Sequence, residues 1–531
     1  MRVRRRHLPL LLAVLWIGGA SSASAQPHAS HAAPAGPPVA VTVDPTTTIG
    51  HVRPGFLGIS IEYWAFDYSA GKTPGNVDPV FVQLLRNLSF GHGSVLRIGG
   101  GSTDTTWWPV KGTTTPPGVN YTLTPNRVAV MKSVASQLGI RLLLGINLAA
   151  GSSALASAEA HAFVSQIGAR RIDGFELGNE PELFGNAAFP WYWLEHGKPV
   201  QVCHYKPACV PVPARRGSYS LSSYIRDVRQ YGSRFPRVAL AGPSSNGGTW
   251  LGNHLSQFIS AEPRLGIVSM HRYPFQACFV APSDPHFPTF ARLLSPAASI
   301  GQAQSVQPYV AIAHAHHLPF SIDEMNTISC GDPPGMANSF GMALWALDTL
   351  FAHAAVGVDT VDIHTWPGAI YRLFTNCDWP LTPIHCQPFN NPAPGWQAMV
   401  EPEYYGLLMF SQAAPGGSRL LPASSDNQNV RAWATRAPDG RVRIVLINDD
   451  MSASHVITVS IPGATAQATV EQLLAPSVHA SSGVTIGGQS FASPTHTGLL
   501  TGTALAPTIT PTAGTYSVRL PTASAALLTL G

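Results

Sequence analysis

Between residues 56 and 366 eight short apolar runs recur, each separated from the next by a stretch long enough to hold a helix. The runs are FLGISIE (56–62), SVLRIGG (94–100), RLLLGINL (141–148), IDGFELGNE (172–180), RVALAGP (237–243), GIVSMHRY (266–273), PFSIDEMN (319–326) and DTVDIHTW (359–366). Helical stretches at 78–88, 124–138, 155–168, 219–235 and 337–356 fall between them. Eight buried strands alternating with helices predict a closed (β/α)8 TIM barrel rather than an open doubly wound sheet. Polar residues gather where the strands end: Glu62, Asp104 just after strand two, Asn147, Asn179 with Glu180, His271 with Tyr273, Glu324, and His364 with Trp366. In such a barrel the C-terminal rim of the strands is where chemistry is done. One such residue is an ordinary strand-end hydrogen-bonder; polar groups at seven strand ends point to a site.

From about residue 400 the pattern changes. VRAWATR (430–436), RVRIVLIND (441–449), HVITVSI (455–461), ATVEQLL (468–474) and TYSVRL (515–520) are short alternating strands separated by Gly, Pro, Ser and Thr. They predict a C-terminal β-sandwich over 401–531. VAVTV (39–43) precedes the barrel and is a candidate to join that sandwich. The predicted layout is therefore a catalytic barrel over 51–400, the sandwich after it and a strand at 39–50 before it. At 531 residues the chain has room for a large and a small domain.

The N-terminus reads as an export signal: Arg2, Arg4, Arg5 and Arg6, then LPLLLAVLWI (8–17), then Ala23-Ser24-Ala25. Cleavage is expected after Ala25, with a Pro/Ala-rich linker over 26–38. Ten apolar residues are too few to span a bilayer. The protein is thus expected to be secreted or periplasmic, by the general or the twin-arginine route, without a membrane partner. The signal also accounts for the net charge of +4: four of the 32 basic residues lie in it and no acid does, which leaves 28 against 28. Nucleic acid loses its compositional support with that balance, and nothing in the pattern sets an oligomeric state. Only 11% of residues are charged, and nineteen of the 20 His lie beyond the signal. Few carboxylates to lose in acid and many His to charge suggest an acidic working environment.

Six Cys in an exported chain imply disulfides, with 15 pairings open. Cys203 with Cys209 and Cys377 with Cys386 would each close a short loop, leaving Cys278 with Cys330. No spacing of Cys or His matches a metal site, and neither metal nor cofactor is called for. Gly99–Gly101 lacks the Lys-Ser/Thr of a phosphate loop.

Two acids carry the chemistry. Glu180 ends strand four in Phe175-Glu176-Leu177-Gly178-Asn179-Glu180-Pro181, and Glu324 ends strand seven in Ser321-Ile322-Asp323-Glu324-Met325-Asn326. An acid closing an apolar strand is costly unless it is paired or used. Strands four and seven face each other across a barrel mouth, and two facing carboxylates are the apparatus of glycoside hydrolysis. Asn179 suits a sugar 2-hydroxyl, and Tyr273 is placed to hold Glu324 ionised. Trp107-Trp108 and Trp191-Tyr192-Trp193 are candidates to stack on sugar faces.

This set resembles the retaining hydrolase clan of (β/α)8 barrels, and within it glycoside hydrolase family 79, the β-glucuronidases and heparanases. The narrower resemblance rests on Leu96-Arg97-Ile98-Gly99-Gly100-Gly101-Ser102-Thr103-Asp104, on the stretch from Glu324 through Gly331 to Ser339–Leu350, and on Gly368-Ala369-Ile370-Tyr371. It implies Glu180 as acid/base and Glu324 as nucleophile, supported by Asn179 and Tyr273. Glu62 and Asp104 would bind sugar hydroxyls, His271 and Trp366 would line the substrate, and Gly331 N–H with Tyr371 would receive a uronate carboxylate. The substrate class is then a uronic-acid-containing glycan or glycoside, attacked at a terminal β-linked glucuronate. Heparanase-like endo action, β-xylosidase or arabinofuranosidase activity, and a non-catalytic carbohydrate-binding protein are the alternatives. One departure bears on the glycone: the family's Tyr five residues after the nucleophile is Ser329 here, followed by Cys330-Gly331-Asp332. Either a Cys278–Cys330 bridge reshapes this loop, or the glycone is a 4-O-methyl-glucuronate or a neutral sugar.

Overall fold

The computed structural model describes residues 34–200, 203–375 and 396–531. The export signal, most of the linker, Cys377 and Cys386 lie outside these residues. Eight parallel strands close into a barrel in chain order: Leu57–Glu62 (one), Val95–Gly99 (two), Arg141–Ile146 (three), Ile172–Leu177 (four), Leu240–Ser245 (five), Leu265–Arg272 (six), Phe320–Met325 (seven) and Thr360–Thr365 (eight). Strand eight pairs with strand one, which removes both edges. Every residue of strands one, two, five and seven is buried, as expected for strands covered on one side by helices and on the other by barrel contents.

The helices start where the sequence supplies caps. Asp78 precedes Pro79 and accepts the N–H groups of Val80 and Phe81 at 2.8 and 3.2 Å. Thr124 before Pro125, Ser152 and Ser220 cap the helices Pro125–Leu138, Ser153–Ile167 and Leu221–Gly232 in the same way. Helix Phe340–Ala355 has all but its last residue buried, because helix Pro402–Ala413 packs along it. The barrel therefore runs on through Ala413, past the boundary at 400 that the change in sequence pattern marks.

Beyond it two sheets face each other. One holds Ala423–Ser425, Val39–Val43, His455–Ser460 and Thr515–Leu520, with the N-terminal strand between the first and third of these. The other runs from Gly50–His51 through Arg419–Leu421, Val430–Arg436, Val442–Asn448 and Ser524–Leu530 to Ala468–Leu474 and Thr485–Ile486. Val39, Val41, Ile444, Leu446, Ile457, Val459 and Tyr516 lie in the core between them. The sandwich is fastened to the barrel by Trp433, whose ring stacks on Phe351 at 5.7 Å and whose N–H donates to Asp348 at 2.7 Å. The chain is thus a TIM barrel with a β-sandwich, as its sequence pattern predicts.

Candidate active site

The strand ends converge on one residue. Arg97, in the middle of strand two, has no exposed surface. It donates to Glu176 (2.8 Å), Ser60 (3.0 Å), Glu324 (2.6 Å) and the side-chain oxygen of Asn179 (2.9 Å). Its remaining contact is His271 Nε2 at 3.3 Å. A buried guanidinium is tolerated only when it is paired and hydrogen-bonded, and this one ties strands one, two, four, six and seven together beneath the rim. The charge of Arg97 also answers the acids crowded there. Ligating atoms of Glu176, His271 and Asp323 lie within 4.8 Å of one another, but Arg97 already supplies the cation such a cluster needs.

Glu324 stands above it. Tyr273 donates its hydroxyl hydrogen to Glu324 Oε1 at 2.9 Å, while Arg97 holds Oε2. Burial raises the Glu324 carboxyl, but His364, His271 and Arg97 outweigh it and hold the group well below the usual carboxylate range. Glu324 is therefore an ionised carboxylate with both oxygens fixed. Asp323, next to it, lies 3.7 Å from His271 Nε2 and is pushed well up by burial and by Glu176.

Glu180 lies beyond the end of strand four, where Gly178 and Glu180 both turn to positive φ (77° and 46°). A non-glycine residue in the left-handed region is uncommon and marks a functional constraint. Here it swings the carboxylate over the barrel mouth with 21% of its side chain exposed. His271 Nδ1 sits 3.0 Å from Glu180 Oε1. A hydrogen on Nδ1 faces Glu180, and Nε2 lies 3.7 Å from Glu176 Oε1. Burial opposes a charged imidazole at His271, but Glu324 and the contacts with Glu176 and Glu180 outweigh it, so its pKa is raised. Oxygens of Glu180 and Glu324 and a nitrogen of His271 all lie within 4.8 Å of one another.

Glu62 accepts the N–H groups of Gly101 (3.0 Å) and Ser102 (2.7 Å). Gly100 turns at φ 70°, and a Cβ there would lie 2.5 Å from Glu62, so only glycine lets this loop wrap the carboxylate. Ser60 accepts from Arg97 and lies 2.9 Å from His364 Nδ1. His364 Nε2 lies 3.6 Å from Glu62. Tyr371 hydrogen-bonds Tyr273 and accepts the indole N–H of Trp366, and Trp366 meets Trp64 edge-on at 5.9 Å. Asp104 has another place: its oxygens accept the backbone N–H groups of Leu148, Ala149 and Asn179 at 2.8–2.9 Å. It staples the ends of strands three and four, and burial pushes its carboxyl up to about 6.

The loops after strands six and seven are zipped together. Ser329 N–H donates to Phe275 O (2.9 Å), Ala277 N–H to Cys330 O (2.7 Å), and Cys278 is bonded to Cys330. Gly331 and Asp332 follow this bridge and are exposed. The second disulfide, Cys203–Cys209, braces a small sheet formed by Tyr192–Glu195, Lys198–Val200 and Cys209–Val212. Arg97, Glu176, Ser60 and Trp64 had no role assigned from sequence. Arg97 and Glu176 carry a readable signal: each is a charge in the middle of an apolar strand.

Residues 432–527 match the C-terminal β domain of glycosyl hydrolase family 79. The C-terminal part of the chain thus carries the β domain of that family. A β-glucuronidase of Aspergillus niger is 23% identical over 533 residues, covering 91% of this chain and 92% of that protein. One from Neurospora crassa is 23% identical over 456 residues, covering 77% and 74%. The fold is shared with a 4-O-α-L-rhamnosyl-β-D-glucuronidase of Fusarium oxysporum (TM-score 0.68, 19% identity, 92% of this chain and all of that one). It is also shared with a family 51 arabinofuranosidase of Xanthomonas axonopodis (TM-score 0.63, 16% identity, 93% and 100%). With that domain and these relatives the chain is a glycoside hydrolase.

Proposed function

We propose that this hydrolase is a secreted, retaining exo-β-glucuronidase of glycoside hydrolase family 79. The observation that carries the reading is the pair of carboxylates across the mouth, with oxygens within 4.8 Å of each other. Carboxyl groups about 5–5.5 Å apart suit direct attack, whereas an inverting enzyme leaves roughly 6.5–9.5 Å for a water. Glu324, held ionised by Arg97 and Tyr273, attacks the anomeric carbon while Glu180 protonates the departing oxygen. Glu180 then takes a proton from water, which displaces Glu324 and releases the sugar with its configuration kept. Asn179, fixed by Arg97 through its oxygen, keeps its amide N–H₂ for the substrate. The glycone is a glucuronate or its 4-O-methyl ether, with Gly331 N–H and Tyr371 toward its carboxylate and Glu62 toward its hydroxyls. The names of the Aspergillus, Neurospora and Fusarium relatives support that glycone.

The test is a panel of aryl β-D-glucuronides, β-D-xylosides and α-L-arabinofuranosides, with the first-formed anomer followed by NMR. Turnover of the glucuronide to the β-anomer is expected, and Glu324→Gln should lose several orders of magnitude in kcat. An α-anomer as first product would overturn the retaining route. Turnover of the neutral glycosides alone would overturn the glycone, and near-normal rates in the Glu324→Gln variant would remove the assigned nucleophile.

A further inference from the structure

Beside Glu180 lies a cavity of about 410 Å³ that also reaches Asn179 but not Glu324. Its walls are Leu183, Phe184, Phe189, Pro190, Trp191 and Trp193, closed by Ala149, Ala188 and Ala214. Asp104 and Glu180 are the acids of its lining, which includes no Lys, Arg or His among the described residues. Trp191 is held in place by its indole N–H on the Asp104 carbonyl (2.9 Å). Gly118 lies so close that a Cβ there would be 2.6 Å from the Trp191 ring. At the rim Phe189 (40% exposed) meets Phe279 (58% exposed) with ring centroids 5.3 Å apart. The two rings come from the loops after strands four and six, and Phe279 adjoins the Cys278–Cys330 bridge. Paired phenyl rings left in water at the mouth of an apolar cavity mark a binding surface.

The position of the acid identifies what binds. A general acid sits at the glycosidic oxygen, so a cavity that shares Glu180 but not the nucleophile lies on the leaving-group side of the scissile bond. We propose that this cavity is the aglycone site and takes an uncharged, flat, polycyclic aglycone, a phenolic ring system rather than a further charged sugar. An anionic saccharide would meet Glu180 and no base among the described lining residues, whereas fused rings would meet Phe189, Trp191 and Trp193. Burying aromatic surface yields roughly 25 cal/mol per Å², so affinity rises with ring number.

The proposal rests on Glu180 being the acid/base of the reading above, and the experiment separates the two. Phenyl, 2-naphthyl and phenolic-steroid β-D-glucuronides share similar leaving-group acidity and differ in ring number. The ratio of kcat/KM, polycyclic to phenyl, should be 10-fold or more in the native protein, carried by KM. In Phe189→Ala and Trp193→Ala that ratio should collapse toward one. Equal losses on both substrates, an unchanged ratio in both variants, or a preference for a uronate disaccharide would overturn the proposal. If no glucuronide is turned over, the glycone reading fails, and the same ratio is taken on the glycone that is accepted. Binding of free 2-naphthol, read by equilibrium dialysis, needs no turnover. It should weaken at least 10-fold in Phe189→Ala, and equal binding to the native protein and the variant would refute the site.

Discussion

Arg97 is the residue whose removal the site tolerates least. It answers Glu176 and Glu324, with nitrogens 2.8 and 2.6 Å from their carboxylates. Breaking a buried pair leaves an uncompensated charge and costs about 3–5 kcal/mol. Arg97→Met should lower unfolding stability by that amount in chemical denaturation, and a loss within about 1 kcal/mol would show that the acids simply take up protons. Tyr273 acts more narrowly. A hydrogen bond to a charged group contributes about 1.5–3 kcal/mol, and this one aims one oxygen of Glu324. Tyr273→Phe should therefore cut kcat roughly 10- to 100-fold with KM little changed; an effect on KM alone would place Tyr273 on the substrate instead. That Glu180, Glu324, Asn179 and Tyr273 gather at one rim was legible because strand ends are where barrels do chemistry. Asp104 was legible as important but not in its contacts. An acid after a Gly-rich turn suits a sugar hydroxyl as well as a backbone staple, and only the approach of Leu148, Ala149 and Asn179 shows the staple. The pairing of Arg97 with Glu324, 227 positions apart, is set by barrel closure and has no local trace.

At the scale of elements, the eight strands and most of the helices were readable from period and punctuation. Strand four is shorter than its sequence run because Gly178 and Glu180 leave extended geometry, and that departure aims the Glu180 carboxylate at the barrel mouth. Three helices gave weaker signals. Tyr63–Ala70 follows strand one with no turn residue between, Ile300–Ala315 contains Pro308, and Pro402–Ala413 begins at the point where the apolar pattern turns to strands. The Cys pairs 203–209 and 278–330 are formed, although one sequence left the pairing open. The second ties the loops of strands six and seven directly before Gly331. A cross-link stabilises by loop closure, and its effect grows with the loop. With separations of 52 and 6 residues, the loop-entropy values are about 4 and about 2 kcal/mol. Replacing Cys278 and Cys330 together by Ser should lower stability by about 2–4 kcal/mol and raise KM for the glycone, with a smaller stability loss and unchanged KM for Cys203 with Cys209. Equal thermal shifts and equal KM for the two double variants would dissociate the bridge from the site.

The whole molecule gathers acids in its interior, and that sets its response to pH. Burial pushes the carboxyls of Asp78 and Glu182 up to about 7 and that of Asp104 up to about 6. It also raises Glu159, Asp323, Asp362, Glu403 and Asp449 well above the ordinary range. A carboxyl whose pKa is higher folded than unfolded favours the folded state while both hold the proton. That contribution is whole below about pH 4 and is lost as pH rises through the folded value. For Glu182, which accepts from Ser245 and Asn246 at one oxygen, the change amounts to about 3 kcal/mol at most, at 1.36 kcal/mol per unit. Burial holds His353 down at about 4, which works the other way: its contribution is present above pH 6.5 and lost as pH falls through 4. The carboxyls outnumber it, so stability should peak on the acid side, in line with the acidic working environment suggested by the low charge and the many His. Thermal unfolding at constant ionic strength should give a higher Tm at pH 5 than at pH 8. Glu182→Gln, which keeps the acceptor and removes the titration, should raise Tm at pH 8 while leaving pH 5 nearly unchanged. A Tm at pH 8 equal to or above that at pH 5 would show that water reaches these carboxyls, so that they ionise inside the fold at little cost.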